Sequence, residues 1–245
     1  AAATLAGRPL SCLLVQVDAQ PDLWRDTLAN IHRMRAAGRE ANAQVGSRPI
    51  GVIMGLETTV HPFAANPVWR ELRDLTPAQR YQRLVADTDL RQRLLAPRTG
   101  GSAAAFMGEA FHKMFPIADR PDYEPDLANS VAAIAERTGR TPQDVALEAI
   151  LTQGGKGLLM LPFENYAAGS LDVVREMITD PATVLGVADG GAHVGVICDA
   201  SSPTSLLTLW GRDRTRGPKL DLEFLVAKQT RGTALSYGLA DRGLL

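Results

Sequence analysis

Residues 183–193 read TVLGVADGGAH, and they form the sharpest local feature of the sequence, because an apolar segment runs directly into an acidic residue and two glycines. Residues 183–188 predict a buried strand, and Asp189 follows that strand at once. In parallel α/β sheets the carboxyl ends of strands face the ligand crevice, so an Asp there is placed to ligate a metal or to accept a proton. An Asp-Gly-Gly turn after a strand is also a common structural feature, and both interpretations stay open at this point.

The first part of the chain has the pattern of a β-α-β unit. Residues 10–17 form a continuous apolar run, which is typical of a strand covered on both faces. Residues 21–37 place apolar side chains at helical spacing, and residues 43–56 return to a strand pattern. Gly46 and Pro49 interrupt that second strand and predict a bulge or a break. Two strands joined by a helix in this way predict a parallel sheet.

The middle of the chain departs from this alternation. Residues 57–123 are polar, rich in Arg and helical in pattern, and they predict a helical insertion on the sheet scaffold. Thr141 then predicts a helix N-cap, with Pro at the first helical position. The alternation returns with a strand over 157–162 and a helix over 170–179 that Ser170 is expected to cap. The predicted fold class is therefore α/β.

Composition excludes several classes of protein. Of the 245 residues, 45% are hydrophobic and 22% are charged, which is too apolar for a disordered chain. The formal net charge is -1, whereas a nucleic-acid-binding protein normally carries a basic excess on one face. A small-molecule partner therefore fits the composition better than a nucleic acid does.

Signals for compartment and membrane are few. Cys12 and Cys198 cannot build a disulfide framework in a chain of this length, which favours a reducing compartment. No apolar run approaches the ~20 residues that span a bilayer, and residues 1–10 hold no long apolar region, so no secretory signal is expected. We therefore expect a cytoplasmic protein without a membrane partner. The abundance of Arg and Ala fits a GC-rich bacterial genome.

The histidines are further candidates for site chemistry. None of the 4 is spaced as His-x-His or His-x-x-x-His, so no motif forms a zinc site by itself. His193 comes four residues after Asp189, and His61 follows the second predicted strand, so both are candidates for contact with substrate. His32 is expected on the exposed flank of a helix, and His112 is expected to pack within the insertion.

Two further features carry weaker signals. Cys198 and Asp199 form a second candidate pair, although Cys198 also fits a small buried apolar residue. The basic run at 212–219 could attract an anion, and a solvated loop is the simpler interpretation. The sequence has no Walker A loop, no Gly-x-Ser-x-Gly turn and no Rossmann glycine pattern.

Three segments together resemble one family. Residues 172–189 (DVVREMITDPATVLGVAD) and 188–202 (ADGGAHVGVICDASS) are similar to the last barrel strand of D-aminoacylases and to the loop that follows it. Residues 225–245 (LVAKQTRGTALSYGLADRGLL) are similar to their closing helix. The sequence therefore resembles the amidohydrolase superfamily, in the branch of D-aminoacylases and N-acyl-D-amino-acid deacylases.

This resemblance implies a fold, an activity and roles for individual residues. It implies a distorted (β/α)₈ TIM-type barrel that holds one or two divalent metals, usually zinc, and hydrolyses an amide with a metal-activated water. Asp189 would be a metal ligand and proton shuttle. His193 would contact the substrate, because its loop also resembles that of dihydroorotases and hydantoinases. Residues 57–123 would be the helical flap over the pocket, and the implied substrate is an N-acyl-D-amino acid.

The sequence also departs from the family pattern. It has no His-x-His, and the strand over 10–17 reads Leu-Leu-Val-Gln where D-aminoacylases carry a histidine ligand. The resemblance then implies that residues 1–245 are the C-terminal part of the catalytic barrel and are inactive alone. A second copy, or a missing N-terminal half of the same protein, would pair with the open sheet edge. The alternative is a non-catalytic, metal-poor module that uses its apolar sheet face for association.

Overall fold

A computed structural model describes residues 7–96, 110–188 and 199–244 of the chain. Within these residues the protein is mixed α/β, as predicted, and it divides into two compact units. No helix among them combines the length and the apolar character that crossing a membrane requires.

The bounds of the elements are as follows. The strands in the described residues are β1 (Leu10–Leu13), β2 (Ala41–Val45), β3 (Ile50–Met54), β4 (Phe115–Pro116), β5 (Leu159–Glu164) and β6 (Thr183–Leu185). The α-helices are α1 (Leu23–Ala36), α2 (Pro77–Ala86), α3 (Thr88–Leu95), α4 (Val131–Thr138), α5 (Pro142–Gly155), α6 (Asp172–Thr179), α7 (Ser202–Ser205), α8 (Leu222–Ala227) and α9 (Thr233–Ser236). Shorter helical segments are the 3-10 turns Pro67–Glu71, Phe111–Lys113 and Leu127–Asn129 and the π-helices Leu206–Asp213 and Lys228–Gly232.

The first unit covers 7–50, 163–188 and 199–244 of the described residues and is built on a sheet with the strand order β1-β2-β6. All three strands are parallel. Helix α1 joins β1 to β2 and buries Trp24 and Ile31 on one side. The predicted β-α-β unit is therefore confirmed.

The second predicted strand is broken where its sequence indicated. β2 ends at Val45 and β3 begins at Ile50, with Gly46 and Pro49 in the interval. Pro lacks a backbone N–H for the ladder, so regular pairing stops there. The two halves of the stretch consequently belong to different sheets.

The second unit covers 51–96 and 110–162 of the described residues and contains most of the sheet with the order β3-β5-β4. β4 and β5 pair antiparallel. Gly51 lies where β3 approaches β5 closely, because a Cβ atom there would come within 2.7 Å of the Leu161 carbonyl oxygen. Helices α2 and α3 form inside the stretch for which the sequence predicts helical structure.

Side chains mark where several helices begin. The Asp87 side chain caps α3, and Thr141 caps α5 as predicted. The cap predicted at Ser170 is wrong by one residue, because α6 has Leu171 at its N-cap without a side-chain hydrogen bond. Ser170 Oγ instead accepts from the Asp172 N–H at 3.4 Å.

Two predictions about the strands differ from what the structure shows. The first strand is shorter than predicted, because Val17 forms isolated antiparallel bridges with Gln20 and Glu164 in place of parallel pairing. The (β/α)₈ barrel that the resemblance implies is not seen in the part of the chain that the structure describes. The strands of the described residues instead form two small, open, 3-stranded sheets.

Candidate functional site

The carboxyl ends of the parallel strands in the first unit form the candidate site. β1, β2 and β6 run in one direction, so the residues that follow them lie at one edge of the sheet. Gln16 follows β1, residues 46–48 follow β2, and residues 186–188 follow β6. Glu164 joins them through its bridge with Val17, next to Gln16, and Asn165 joins them through its hydrogen bonds with Gln16. We call these residues the carboxyl edge. This is the position at which parallel α/β sheets bind ligands.

The residue predicted to be catalytic is the next one in the sequence after the residues of this edge. Asp189 comes directly after Ala188 in the sequence. Asp189, His193 and Cys198 lie outside the described residues, so their roles stay predictions.

Two residues at the carboxyl edge have an unusual backbone. Val187 has a φ of 58° and Asn165 has a φ of 62°, both in the left-handed region. Asn tolerates this region, whereas for a β-branched residue it is an outlier that costs about 1–3 kcal/mol. A Cβ atom at Gly46 would lie 3.8 Å from Val187 Cβ and from Asn165 Nδ2, which places these residues together. Such strain clusters at functional sites, which favours this edge as one.

Asn165 is tied to the end of β1 and also carries an unused donor. The Gln16 N–H donates to Asn165 Oδ1 at 2.8 Å, and the Asn165 N–H donates to Gln16 O at 2.8 Å. These bonds fix which end of the Asn165 amide is the oxygen. Its Nδ2 is buried and has no hydrogen-bond partner within the described part of the chain. A buried donor of this kind is costly unless a ligand or a water accepts from it.

A buried ion pair secures the end of β2. Arg48 Nη2 lies 3.6 Å from Asp199 Oδ1, and both side chains are buried. Ser47 Oγ donates to Ser202 O at 2.7 Å, and Trp210 Nε1 donates to Ser47 O at 2.6 Å. Asp199, half of the weaker candidate pair, therefore has a structural role as the partner of Arg48.

Glu164 is a titratable group at the carboxyl edge that sequence reasoning missed. Burial raises the pKa of its carboxyl, and the negative charge of Asp18 raises it further. A carboxyl group with a raised pKa beside a candidate site is itself a candidate functional group. The signal that could have found these two polar residues was their position: Glu164 ends the apolar strand LMLPFE, and Asn165 follows it.

His61 lies in the second unit and is buried, with 4% of its surface exposed. Its ring stands edge-on to Trp69 at 4.2 Å between centroids, and its Nδ1 accepts from the Phe63 N–H at 3.2 Å. Burial, aided by the positive charge of Arg80, lowers the pKa of His61 to about 4. The ring is therefore neutral at pH 7 and carries its proton on Nε2. The contact of His61 with substrate stays a prediction.

The other two histidines lie away from these groups. His32 is partly exposed, as expected, and its Nε2 lies 2.9 Å from Asp180 Oδ2. The packing predicted for His112 is wrong, because its side chain is exposed. Phe111 and Lys113, its neighbours in a 3-10 turn, take the buried positions.

The basic run at 212–219 is only partly the solvated loop that its composition predicts. Arg212 is 70% exposed, but the Arg214 side chain is fully buried. Arg214 Nη2 lies 2.7 Å from Asp172 Oδ1, and its guanidinium lies 4.8 Å from the centroid of the Trp210 ring. The hydrogen bond from Arg214 lowers the pKa of the Asp172 carboxyl. Arg214 is thus held by these internal contacts and is not available to bind an external anion.

The described residues do not by themselves supply a zinc centre. Among them, no group of three His, Cys, Asp or Glu side chains is arranged to hold a metal ion. The side chains of Gln16, Asn165 and Glu164 at the carboxyl edge include none of the His or Cys ligands that zinc prefers. The Gln16 amide is already used, because its Nε2 donates to Pro21 O at 3.3 Å and its Oε1 accepts from the Ala167 N–H at 3.1 Å. These described residues do not form a zinc site by themselves, and the ligand role of Asp189, which lies outside them, stays a prediction.

Comparisons with known proteins add one finding. A model of the amidohydrolase family matches residues 2–245, which is nearly the whole chain and includes the stretch around Asp189. Searches of curated proteins and of solved structures returned no match.

Proposed function

This chain belongs to the amidohydrolase family, and from that premise we propose that its full-length gene product hydrolyses the amide bond of N-acyl-D-amino acids. Family membership indicates a hydrolase that depends on a divalent metal. The observation that carries the finer proposal is the position of Asp189, directly after Ala188 at the carboxyl edge. The similarity of residues 172–202 to D-aminoacylases supports the substrate class.

Asp189 is proposed to move the proton that amide hydrolysis releases. In the first step a water oxygen forms a bond to the acyl carbon while the Asp189 carboxylate accepts the proton of that water. In the second step the C–N bond breaks, and Asp189 returns the proton to the leaving amine nitrogen. The products are a carboxylic acid and the free D-amino acid. A divalent cation, proposed to be zinc, would have Asp189 among its ligands and would supply Lewis-acid activation of the water, with its other ligands outside the residues that the structure describes.

Two features of the carboxyl edge support a site there. Val187 holds a strained backbone two residues before Asp189, which fits a segment whose geometry serves function. Asn165 Nδ2 is a buried donor that a substrate oxygen could satisfy. Substrate contacts of His193 and His61 belong to the same proposal.

The strands and helices of the chain also fit the architecture of the family. The parallel strands of the first unit are compatible with part of the family's (β/α)₈ barrel. Residues 57–123, which contain α2 and α3, are proposed to be its helical flap. A second copy, or a further segment of the same protein, is proposed to pair with the open sheet.

Hydrolysis of matched enantiomers tests the substrate class. The full-length gene product is incubated with the N-acetyl derivatives of D- and L-leucine and of D- and L-tyrosine, and the released amine is quantified. We expect release from the D-derivatives and little from the L-derivatives. Dihydroorotate and a hydantoin serve as cyclic amide controls. Preference for the L-derivatives, for the cyclic amides or for none of them would contradict the proposal.

A further inference from the structure

A small cavity lies at the end of β6 in the first unit. Its volume is about 180 Å³, and Leu185, Gly186, Ala188 and Pro203 line it with aliphatic groups and backbone. An apolar cavity of about 150 Å³ holds a benzene molecule. The cavity, which we call the β6 pocket, therefore has room for a group of that size.

One polar atom beside the β6 pocket is left without a partner. Gln229 lines the pocket, and its Oε1 is buried without a hydrogen bond to any group that the structure describes. The Ser47 hydroxyl, which also lines the pocket, is already used because it donates to Ser202 O at 2.7 Å. Leaving a buried acceptor unpaired is costly, so Gln229 Oε1 favours a ligand that brings a donor.

The segment that carries Gln229 has an unusual geometry. Lys228–Gly232 is a π-helix, a rare form that occurs frequently at functional sites. Lys228 Nζ donates to Asp180 O at 2.7 Å, which ties this segment to the turn before β6. Gln229 and Thr233 both line the pocket. The π-helix thus holds the Gln229 amide beside β6.

We propose that the β6 pocket receives an arm of the substrate that is about the size of a benzene ring and ends in a hydrogen-bond donor, which Gln229 Oε1 accepts. The inference rests on the proposed function, because Ala188 in the pocket wall directly precedes Asp189. An arm without a donor leaves the buried oxygen unpaired, so the pocket discriminates against it. A hydroxyphenyl side chain, as in an N-acyl-D-tyrosine, meets both requirements.

Binding of two small probes tests the pocket without any turnover. Phenol and toluene have nearly the same shape, and only phenol carries a donor. Titration of the full-length gene product, followed by NMR, is expected to show phenol binding about tenfold more tightly than toluene. Equal binding of the two probes, or tighter binding of toluene, would overturn the proposal.

Three variants assign the preference to Gln229. Gln229→Leu removes the acceptor and is expected to abolish the preference for phenol, whereas Gln229→Glu keeps an acceptor and retains it. Gln92→Leu, which makes the same change at an exposed position of the second unit, is expected to behave like the wild type. Circular dichroism establishes that each variant is folded. A preference for phenol that survives in folded Gln229→Leu would place the donor contact elsewhere and contradict the proposal.

A turnover measurement separates this inference from the proposed function. The ratio of kcat/KM for N-acetyl-D-tyrosine over N-acetyl-D-phenylalanine is expected to fall about tenfold in Gln229→Leu and to stay unchanged in Gln92→Leu. An unchanged ratio in Gln229→Leu would contradict the pocket proposal without affecting the proposal that the protein is a hydrolase. Selective phenol binding with no hydrolysis of any N-acetyl-D-amino acid would show that the binding site exists. It would also show that the site is not a substrate pocket and that the proposed function is wrong.

Discussion

Replacing Asp189 with Asn is expected to lower the kcat of the full-length gene product by about a thousandfold, because a general acid–base group contributes about 10²–10⁴-fold. The carboxamide has nearly the size of the carboxylate but cannot accept a proton. The attacking water then lacks a base, and the leaving amine lacks the acid that protonates it. The measurement is the rate of amine release from a saturating N-acetyl-D-amino acid.

A matched change elsewhere controls for the general effect of removing a carboxylate. Asp74→Asn alters an exposed residue of the second unit and is expected to keep the wild-type rate. Circular dichroism and urea unfolding show whether Asp189→Asn is folded. Hydrolysis by Asp189→Asn at a rate close to that of the wild type would show that Asp189 does not take part in the mechanism.

Acid is expected to destabilise the second unit through His61. The pKa of this ring is about 4 in the folded chain, against an ordinary value of 6.5. Between these two values the unfolded chain binds a proton that the folded chain excludes, so the free energy of unfolding falls as the pH drops from 6.5 toward 4. The loss from this one group reaches about 3 kcal/mol at pH 4, and at pH 7 it is absent.

Urea unfolding between pH 7 and pH 4 measures this effect. His61→Phe keeps an aromatic ring against Trp69 and removes the titrating group, so its stability should depend less on pH than that of the wild type. Phe63→Leu loosens the same loop without removing a proton site and should keep the wild-type dependence. If the curves of the wild type and His61→Phe run parallel, the buried neutral state of His61 is wrong.

Local sequence patterns predicted much of the first unit and the start of one helix in the second. The apolar run from Leu10, the helical spacing through Ile31 and the second strand correspond to β1, α1 and β2. Gly46 and Pro49 marked the break between β2 and β3 correctly, because their backbone chemistry acts locally. Thr141 marked the start of α5 for the same reason.

Features that depend on contacts between residues far apart in sequence could not be predicted from local patterns. Arg214 looked solvated beside its charged neighbours, but its burial depends on Asp172, which is remote in sequence. Asn165 was not predicted as a site residue, because its position after an apolar strand is only a weak signal and its importance comes from a bond to Gln16 and from an unpaired Nδ2. Spacing along the chain cannot report such pairings.

Membership of the amidohydrolase family and the place of Asp189 in the sequence together support the claim of metal-dependent amide hydrolysis. Its most direct test follows hydrolysis of N-acetyl-D-leucine by the full-length gene product as purified, after chelation and after zinc is restored. Bound metal per chain is determined in the same three samples. Activity is expected to disappear on chelation and to return in proportion to the zinc bound. Hydrolysis that persists in metal-free protein, or no hydrolysis when zinc is fully bound, would contradict the claim.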